Sequence, residues 1–360
     1  MSLEHAQLLL SVLREPEVAR SLTLSQWETL IRTARRANLL SRIALELERR
    51  ELLSHVPEGP RAHFEAARVL ANAQAAAVRR EVGFVARALR DTGLPVVLLK
   101  GAAYLIAGLS PARGRMFSDV DILVPAERLS EVEGRLMLHG WSSAKTNAYD
   151  QRYYRQWMHE LPPLKHNSRQ TVLDVHHAIL PTTARLKPDS RKLLAAATAV
   201  PGEPQLRVLA PIDMVLHSAT HLFCNEDVGN GLRDLVDLDC LLREFGAEAG
   251  FWPKLAVRAA ELDLSRPLYY ALRYADRVLA TPIPPEVARA AEVGRPPSWL
   301  RRLMDMLFLR SFQPTTSRAG LASIARLSLY VRAHWLRMPP LLLAHHLTVK
   351  AFRRGEETAG

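Results

Sequence analysis

The stretch from Leu98 to Val124, LLKGAAYLIAGLSPARGRMFSDVDILV, decides the fold. It opens on the end of an apolar run, Val96-Val97-Leu98-Leu99, that predicts a strand, and it reaches Lys100-Gly101 where a helix of small and apolar residues begins. After a basic turn marked by Pro111 and Gly114, a second apolar strand carries Asp119 and Asp121. Strand side chains alternate faces, so these two carboxylates share one face while Val120 and Ile122 enter the core. Acids set among Val, Ile and Leu are costly to bury unless a cation or hydrogen-bond donors compensate them. Paired oxygen ligands of this kind suit a hard divalent ion such as Mg²⁺.

The chain around this centre has 360 residues, enough for two domains or for one domain with a large appendage. Its 48% hydrophobic and 24% charged residues are those of an ordinary globular protein. A net charge of +11 points to an anionic partner, whether nucleotide, nucleic acid or acidic membrane surface, or to arginines that merely solvate helix faces. The basic residues are scattered except near the C-terminus. Cys224 and Cys240 form no CxxC pattern, so neither a disulfide framework nor a zinc cluster is expected, which fits a reducing, cytoplasmic compartment. The N-terminal MSLEHAQLLLSVLREPE lacks the basic start of a signal peptide, and no window approaches the length of a membrane span.

Upstream, residues 4–90 read as helical, with Ser25 and Glu28 spaced for a capping box and a long Ala-rich helix over 61–92. Gly93-Leu94-Pro95 stops that helix and feeds the first strand. Downstream of the double-aspartate strand, a helix over 129–139 closes at Gly140. A further strand, Thr171 to His176, places Asp174 and His176 on one face, so that Asp174 approaches the Asp119/Asp121 pair as a third carboxylate. Residues 177–205, rich in Pro and Ala, read as a passage between domains. A helical half follows, with Asp213 as an N-cap, His217 and His221 one turn apart, and helices over 232–244, 252–279 and 299–308. The last segment, 321–354, is apolar and basic together. Its favoured reading is a final helix packed on its own domain with basic residues exposed; the alternative is an amphipathic helix at the surface of the inner membrane. The expected division is an N-terminal helical region (1–92), a core (93–205) and a C-terminal helical domain with a basic amphipathic tail (206–360).

Lys100-Gly101, Ser118-Asp119-Val120-Asp121 and the distal Asp174 resemble the DNA polymerase β-like nucleotidyltransferase superfamily, over about residues 90–180. More narrowly, Leu99-Lys100-Gly101, Arg115, Asp119 to Val124 and Leu173-Asp174-Val175-His176 are similar to an uncharacterised bacterial nucleotidyltransferase branch with a KG…R…DxDxLV…DxH arrangement. Arg233-Asp234-Leu235-Val236-Asp237 resembles a stretch of that branch's helical half, and residues 330–347 are similar to members encoded near exosortase and exopolysaccharide systems.

The resemblance implies an α+β fold, a polymerase β-like sheet with flanking helices. It also implies Mg²⁺- or Mn²⁺-dependent transfer of a nucleoside monophosphate from an NTP such as ATP to a hydroxyl, with pyrophosphate released. It makes Asp119, Asp121 and Asp174 catalytic and metal-binding, and Lys100, Gly101, Ala102, Arg115 and Ser118 nucleotide-binding. Ala102 departs from the family's Ser or Gly, so a phosphate-contacting hydroxyl is missing. Backbone N–H groups at the start of the Ala102 helix, with Lys100, would then serve the triphosphate. His176, Arg233 and Asp237 are accessory candidates, the last two also readable as an inter-helix salt network. His176 and His177 otherwise fix the Asp174 strand or pair with it; His159 reads as a surface-loop histidine in preference to one lining an acceptor pocket, His217 and His221 as packing in preference to a metal pair on one helix face, and Lys165 as solvated. The residues leave the acceptor open among a small molecule, a protein and RNA. The rival readings are a non-catalytic nucleotide-binding or scaffold protein of the same fold, a nucleic-acid binder resting on charge alone, and a metal phosphohydrolase using the histidines.

Overall fold

All four side chains of the first strand, β1 (Val96–Leu99), are buried, which for a strand means that both faces of its sheet are covered. The computed structural model describes residues 2–145, 147–225, 229–313 and 321–339. Six further strands join β1: β2 (Asp119–Leu123), β3 (Trp141–Ser143), β4 (Leu164–His166), β5 (Val172–His176), β6 (Thr198–Val200) and β7 (Glu203–Val208). They form one mixed sheet in the order β3-β4-β5-β2-β1-β7-β6. At its centre β2 runs antiparallel to β1 and parallel to β5, while β1 runs parallel to β7.

Four helices precede the sheet: α1 (Ser2–Arg14), α2 (Leu24–Arg36), α3 (Leu40–Arg49) and α4 (Glu58–Ala88). The capping box at the start of α2 belongs to Thr23 and Gln26, not to Ser25 and Glu28, because the chain enters the helix two residues earlier than its apolar periodicity suggests. The Ala-rich helix α4 is shifted in the same direction, running from 58 to 88 rather than 61 to 92, and a left-handed Gly93 (φ +65°) turns the chain into β1. From α4 the buried Glu81 carboxylate accepts two hydrogen bonds from Arg169, which ties the far edge of the sheet to this helix.

Within the sheet's connections lie the short α5 (Lys100–Ile106), then α6 (Leu129–Leu138), α7 (Ala148–Trp157) and α8 (Ser190–Ala196). The passage expected over 177–205 is partly sheet. Gly202 (φ +78°) makes a tight turn between β6 and β7, and β7 pairs with β1 from Leu206 to Val208. The sheet therefore runs on to Val208. Pro204 hides this strand in the sequence, yet it lies ahead of the residues that pair with β1 and costs the ladder no donor there.

The helical half comprises α9 (Pro211–Cys224), α10 (Gly231–Gly246), α11 (Phe251–Glu261), α12 (Ser265–Leu279), α13 (Pro285–Ala290), α14 (Ser298–Ser311) and α15 (Leu321–Arg337). Asp213 is not the N-cap of α9; Ala210 holds that position, and Asp213 sits buried in the first turn against Arg258 at 2.7 Å. The helix expected over 252–279 breaks at 262–264 into α11 and α12. Residues 340–354 of the expected tail lie outside the described residues. Within α15 the expected exposure of basic residues does not hold: its exposed residues are Leu321, Ile324, Leu327, Val331 and Trp335. One continuous hydrophobic core runs from α1 through the sheet to α15.

Candidate active site

The register of three strands builds the site. In the parallel pair β2–β5, Asp121 lies directly beside Asp174, and Asp119 lies two residues back along the same face of β2. Parallel neighbours in register point the same way, so the three carboxylates gather on one side of the sheet. From the other flank β1 sets Leu99 opposite Asp121, which delivers Lys100 to the same place. The Lys100 ammonium donates to Asp121 Oδ1 at 2.9 Å.

Lys100 carries this side chain at a backbone cost. Its φ of +46° lies in the left-handed region, roughly 1 kcal/mol less favourable for a residue with a Cβ. Such strain persists where the surroundings enforce it, and functional sites are where it collects. Asp121 is 3% exposed. Burial by itself raises its pKa, but Lys100 and then His176 hold it far below the usual carboxylate range.

His176 bridges two acids. Its Nε2 is 3.0 Å from Asp121 Oδ1 and its Nδ1 is 3.1 Å from Glu160 Oε2. Carboxylates only accept, so an imidazole held at both nitrogens is an imidazolium donating twice. Burial disfavours that charge, yet Glu160 and Asp121 outweigh it and raise the His176 pKa. Asp174 goes the other way: burial, then Asp121 and Glu160, push it up to about 7. Its Oδ1 is buried without a hydrogen-bond partner.

Glu160 carried no sequence signal beyond its place in a His-Glu-Leu-Pro stretch, and His159 was expected on a surface loop. The loop folds back instead, pairing Glu160 with His176 as an isolated bridge while the His177 N–H donates to His159 O at 2.8 Å. His159 thus faces the site, where burial and then His176 drive its pKa well down and keep it neutral. His159, Glu160 and His176 offer ligand atoms within 4.8 Å of one another, a group that could hold a metal ion.

The remaining nucleotide-site candidates divide. Ser118 is exposed at the rim and donates to Asp119 Oδ1 at 2.9 Å. Arg115 does not project as a solvated phosphate ligand: its Nε donates to the buried Asp237 of α10 at 2.8 Å. Gly101 makes room for this pair, since a Cβ there would lie 2.5 Å from Arg115 Nη1. The Ala102 side chain is 1% exposed and belongs to the core, while Gly101, at the start of the seven-residue α5, lines the cleft. Arg233 pairs with Asp234, its neighbour on the same helix, at 2.7 Å, and Asp237 pairs with Arg115 of the loop before β2. Glu244, two turns beyond Asp237, accepts from the Ser110 N–H and hydroxyl, and Gln74 of α4 accepts from Phe117 N–H. That loop is held along its whole length.

The three aspartates, Lys100, Arg115, Glu160 and His176 line a cleft of about 350 Å³ between the sheet and the helical half. Its far wall includes His217 and His221 of α9, both kept neutral by burial, His217 with a pKa lowered to about 3. Neither belongs to a three-ligand group among the described residues. Arg337, at the end of α15, also reaches the cleft and donates to Asn225 at 3.1 Å. Lys165 is exposed on β4, away from the site.

A mixed sheet flanked by helices, with separate helical regions before and after it, is a nucleotidyltransferase-type α+β fold. The chain belongs to a family described as "Uncharacterised nucleotidyltransferase", whose sequence model matches residues 23–280. That membership carries a nucleotidyltransferase-type reaction in general terms. No curated protein matches the chain.

Proposed function

We propose that the protein is a polymerase β-like nucleotidyltransferase that moves a nucleoside monophosphate from an NTP to a hydroxyl acceptor and releases pyrophosphate. The observation that carries this reading is the register of β2 and β5, which sets Asp174 beside Asp121 and behind Asp119 with one Asp174 oxygen buried and unpartnered. A buried carboxylate oxygen without a hydrogen-bond partner, facing two further carboxylates, fits a cation ligand. Three hard oxygen donors fit Mg²⁺ or Mn²⁺. When bound, such ions neutralise the transferred phosphate and align attacking and leaving oxygens.

The chain's own groups then have distinct tasks. Asp119, Asp121 and Asp174 would hold the metal. Asp174, beside Asp121 on the same face, would also orient the acceptor hydroxyl. Lys100 and Ser118 sit at the rim of the same face and would meet the phosphates, and Arg233 lies further along the cleft. Glu160 fixes His176, and His176 fixes Asp121. Arg115 works through the loop it anchors and not by touching substrate.

The non-catalytic reading of the same fold draws on the closure of Lys100, Asp121, His176 and Glu160 upon one another, which needs no ligand. Calorimetry with each NTP and Mg²⁺ or Mn²⁺, on the wild type and on Asp119→Asn and Asp174→Asn, separates the two. Metal-dependent nucleotide binding lost in both variants supports transfer, and α-labelled NTP then identifies the acceptor. Binding of no NTP by the wild type would leave only the scaffold reading.

A further inference from the structure

The helix α15 is inside out for a helix that ends in water. Its exposed residues, Leu321, Ile324, Leu327, Val331 and Trp335, are all large and apolar, each 47–66% exposed, and fall at intervals of three and four on one face. The opposite face, carrying Ala322, Ala325, Leu329 and Ala333, packs inward. The neighbouring α14 adds Trp299, Leu303 and Met306 to the exposed apolar residues. Contiguous apolar surface of this kind marks an interaction site.

The sequence around it says what sort of surface covers it. From Met306 to Gly355, fifty residues contain eight Lys and Arg and not one Asp or Glu, so eight of the eleven net positive charges lie in this segment. Exposed cations border the apolar stripe: the Arg185 guanidinium sits 4.3 Å above the Trp335 ring, and Arg302 is exposed beside Leu303. A second copy meeting this face would bring two net-basic segments together. An anionic lipid surface complements both the charge and the apolar stripe, with tryptophans at the headgroup level. Among the described residues no helix is long and apolar enough to cross a membrane, so the contact is interfacial.

We infer that the exposed face of α14 and α15 docks on an anionic membrane surface. The contact lies outside the span matched by the family, residues 23–280, and is independent of the proposed chemistry. The test is sedimentation of the full chain with vesicles of phosphatidylcholine alone and of equimolar phosphatidylcholine and phosphatidylglycerol. Partitioning onto the anionic vesicles is expected to be at least about tenfold stronger than onto neutral ones and to weaken with added salt. The double variant Leu327→Glu/Val331→Glu alters two exposed positions only; it should keep the wild-type circular dichroism and melting curve and lose about tenfold or more in partitioning. A blue shift of tryptophan emission on vesicle addition reads the same contact in the unaltered protein. Failure of the wild type to sediment with anionic vesicles overturns the inference. So does equal partitioning onto neutral ones, or a dimer that the double variant dissociates and vesicles do not.

Discussion

Replacing Arg115 by Met separates an anchoring role from a phosphate-binding one. The guanidinium is 10% exposed and the Asp237 carboxylate 4% exposed, with Nε and Oδ2 2.8 Å apart. Methionine keeps most of the aliphatic stem and deletes the charge. Asp237 would then be a buried carboxylate one turn from Asp234, which has the same sign and engages Arg233 of that helix. Breaking one side of a buried pair costs about 3–5 kcal/mol, against a total domain stability of about 5–15 kcal/mol. Equilibrium urea unfolding followed by circular dichroism measures this directly, and Asp237→Asn added to Arg115→Met should recover much of the loss as a coupling of about 2 kcal/mol. Gly101→Ala supplies an independent check. Its new Cβ meets Arg115 Nη1 at 2.5 Å and Phe117 Cδ1 at 3.2 Å, so it should cost about 1–3 kcal/mol alone and less once the guanidinium is gone. If Arg115→Met leaves the unfolding free energy within about 0.5 kcal/mol of wild type while abolishing nucleotide binding, Arg115 is a phosphate ligand and the anchoring argument is wrong.

Two further outcomes follow from the ion pairs and the buried histidines. Lys100→Met removes the ammonium from Asp121 Oδ1. Calorimetry should show Mn²⁺ alone binding more tightly to the variant than to wild type, because no side-chain cation competes for that oxygen, while NTP binds more weakly; unchanged Mn²⁺ affinity would show that lysine and metal do not share the carboxylate. His217 is 4% exposed and its pKa is lowered to about 3, by burial first and then by Lys100 and His176. Its contribution is therefore complete above the unfolded value of about 6.5 and is lost as pH falls toward 3, at about 1.4 kcal/mol per pH unit. His217→Gln should flatten the acid limb of stability by that slope between pH 6 and 4, and an acid limb of unaltered slope would count against a neutral buried imidazole.

What the sequence disclosed of the site is the part written in local alternation. Asp119, Val120, Asp121 and Ile122 declare two faces by their chemistry, and Asp174 and His176 repeat the pattern on β5, so the acids were legible before their register was. The partners that tune those acids were not. Glu160 reaches His176 through one isolated bridge from an irregular loop, and Asp237 meets Arg115 across 122 residues. Neither contact leaves a periodic trace. The motif lysine and arginine therefore read alike in sequence, whereas the fold gives Lys100 to Asp121 of β2 and Arg115 to Asp237 of α10, both buried carboxylates on the wall of the cleft. Strand β7 was hidden for a different reason: Gly202 and Pro204 carry the composition of a linker although Leu206 and Val208 carry its core face.

The orientation of α15 shows a limit that is physical and not one of pattern recognition. Both of its faces are apolar enough to be buried, so hydrophobic periodicity alone does not say which one turns inward. The face that packs presents Ala322, Ala325, Leu329 and Ala333, and the large Leu321, Ile324, Leu327, Val331 and Trp335 are left outside. Helix packing selects shape before hydrophobicity when both faces qualify. The surplus apolar face is then unexplained by folding, and the absence of any acid from Met306 to Gly355 ceases to be a matter of composition. A segment that needed only solubility would tolerate Asp and Glu on its exposed positions; this one places leucine, isoleucine, valine and tryptophan there, turns Arg332 and Arg337 inward onto Phe223 O and Asn225, and leaves Arg185 and Arg302 as the cations at the edge of the stripe that the inferred lipid contact would use.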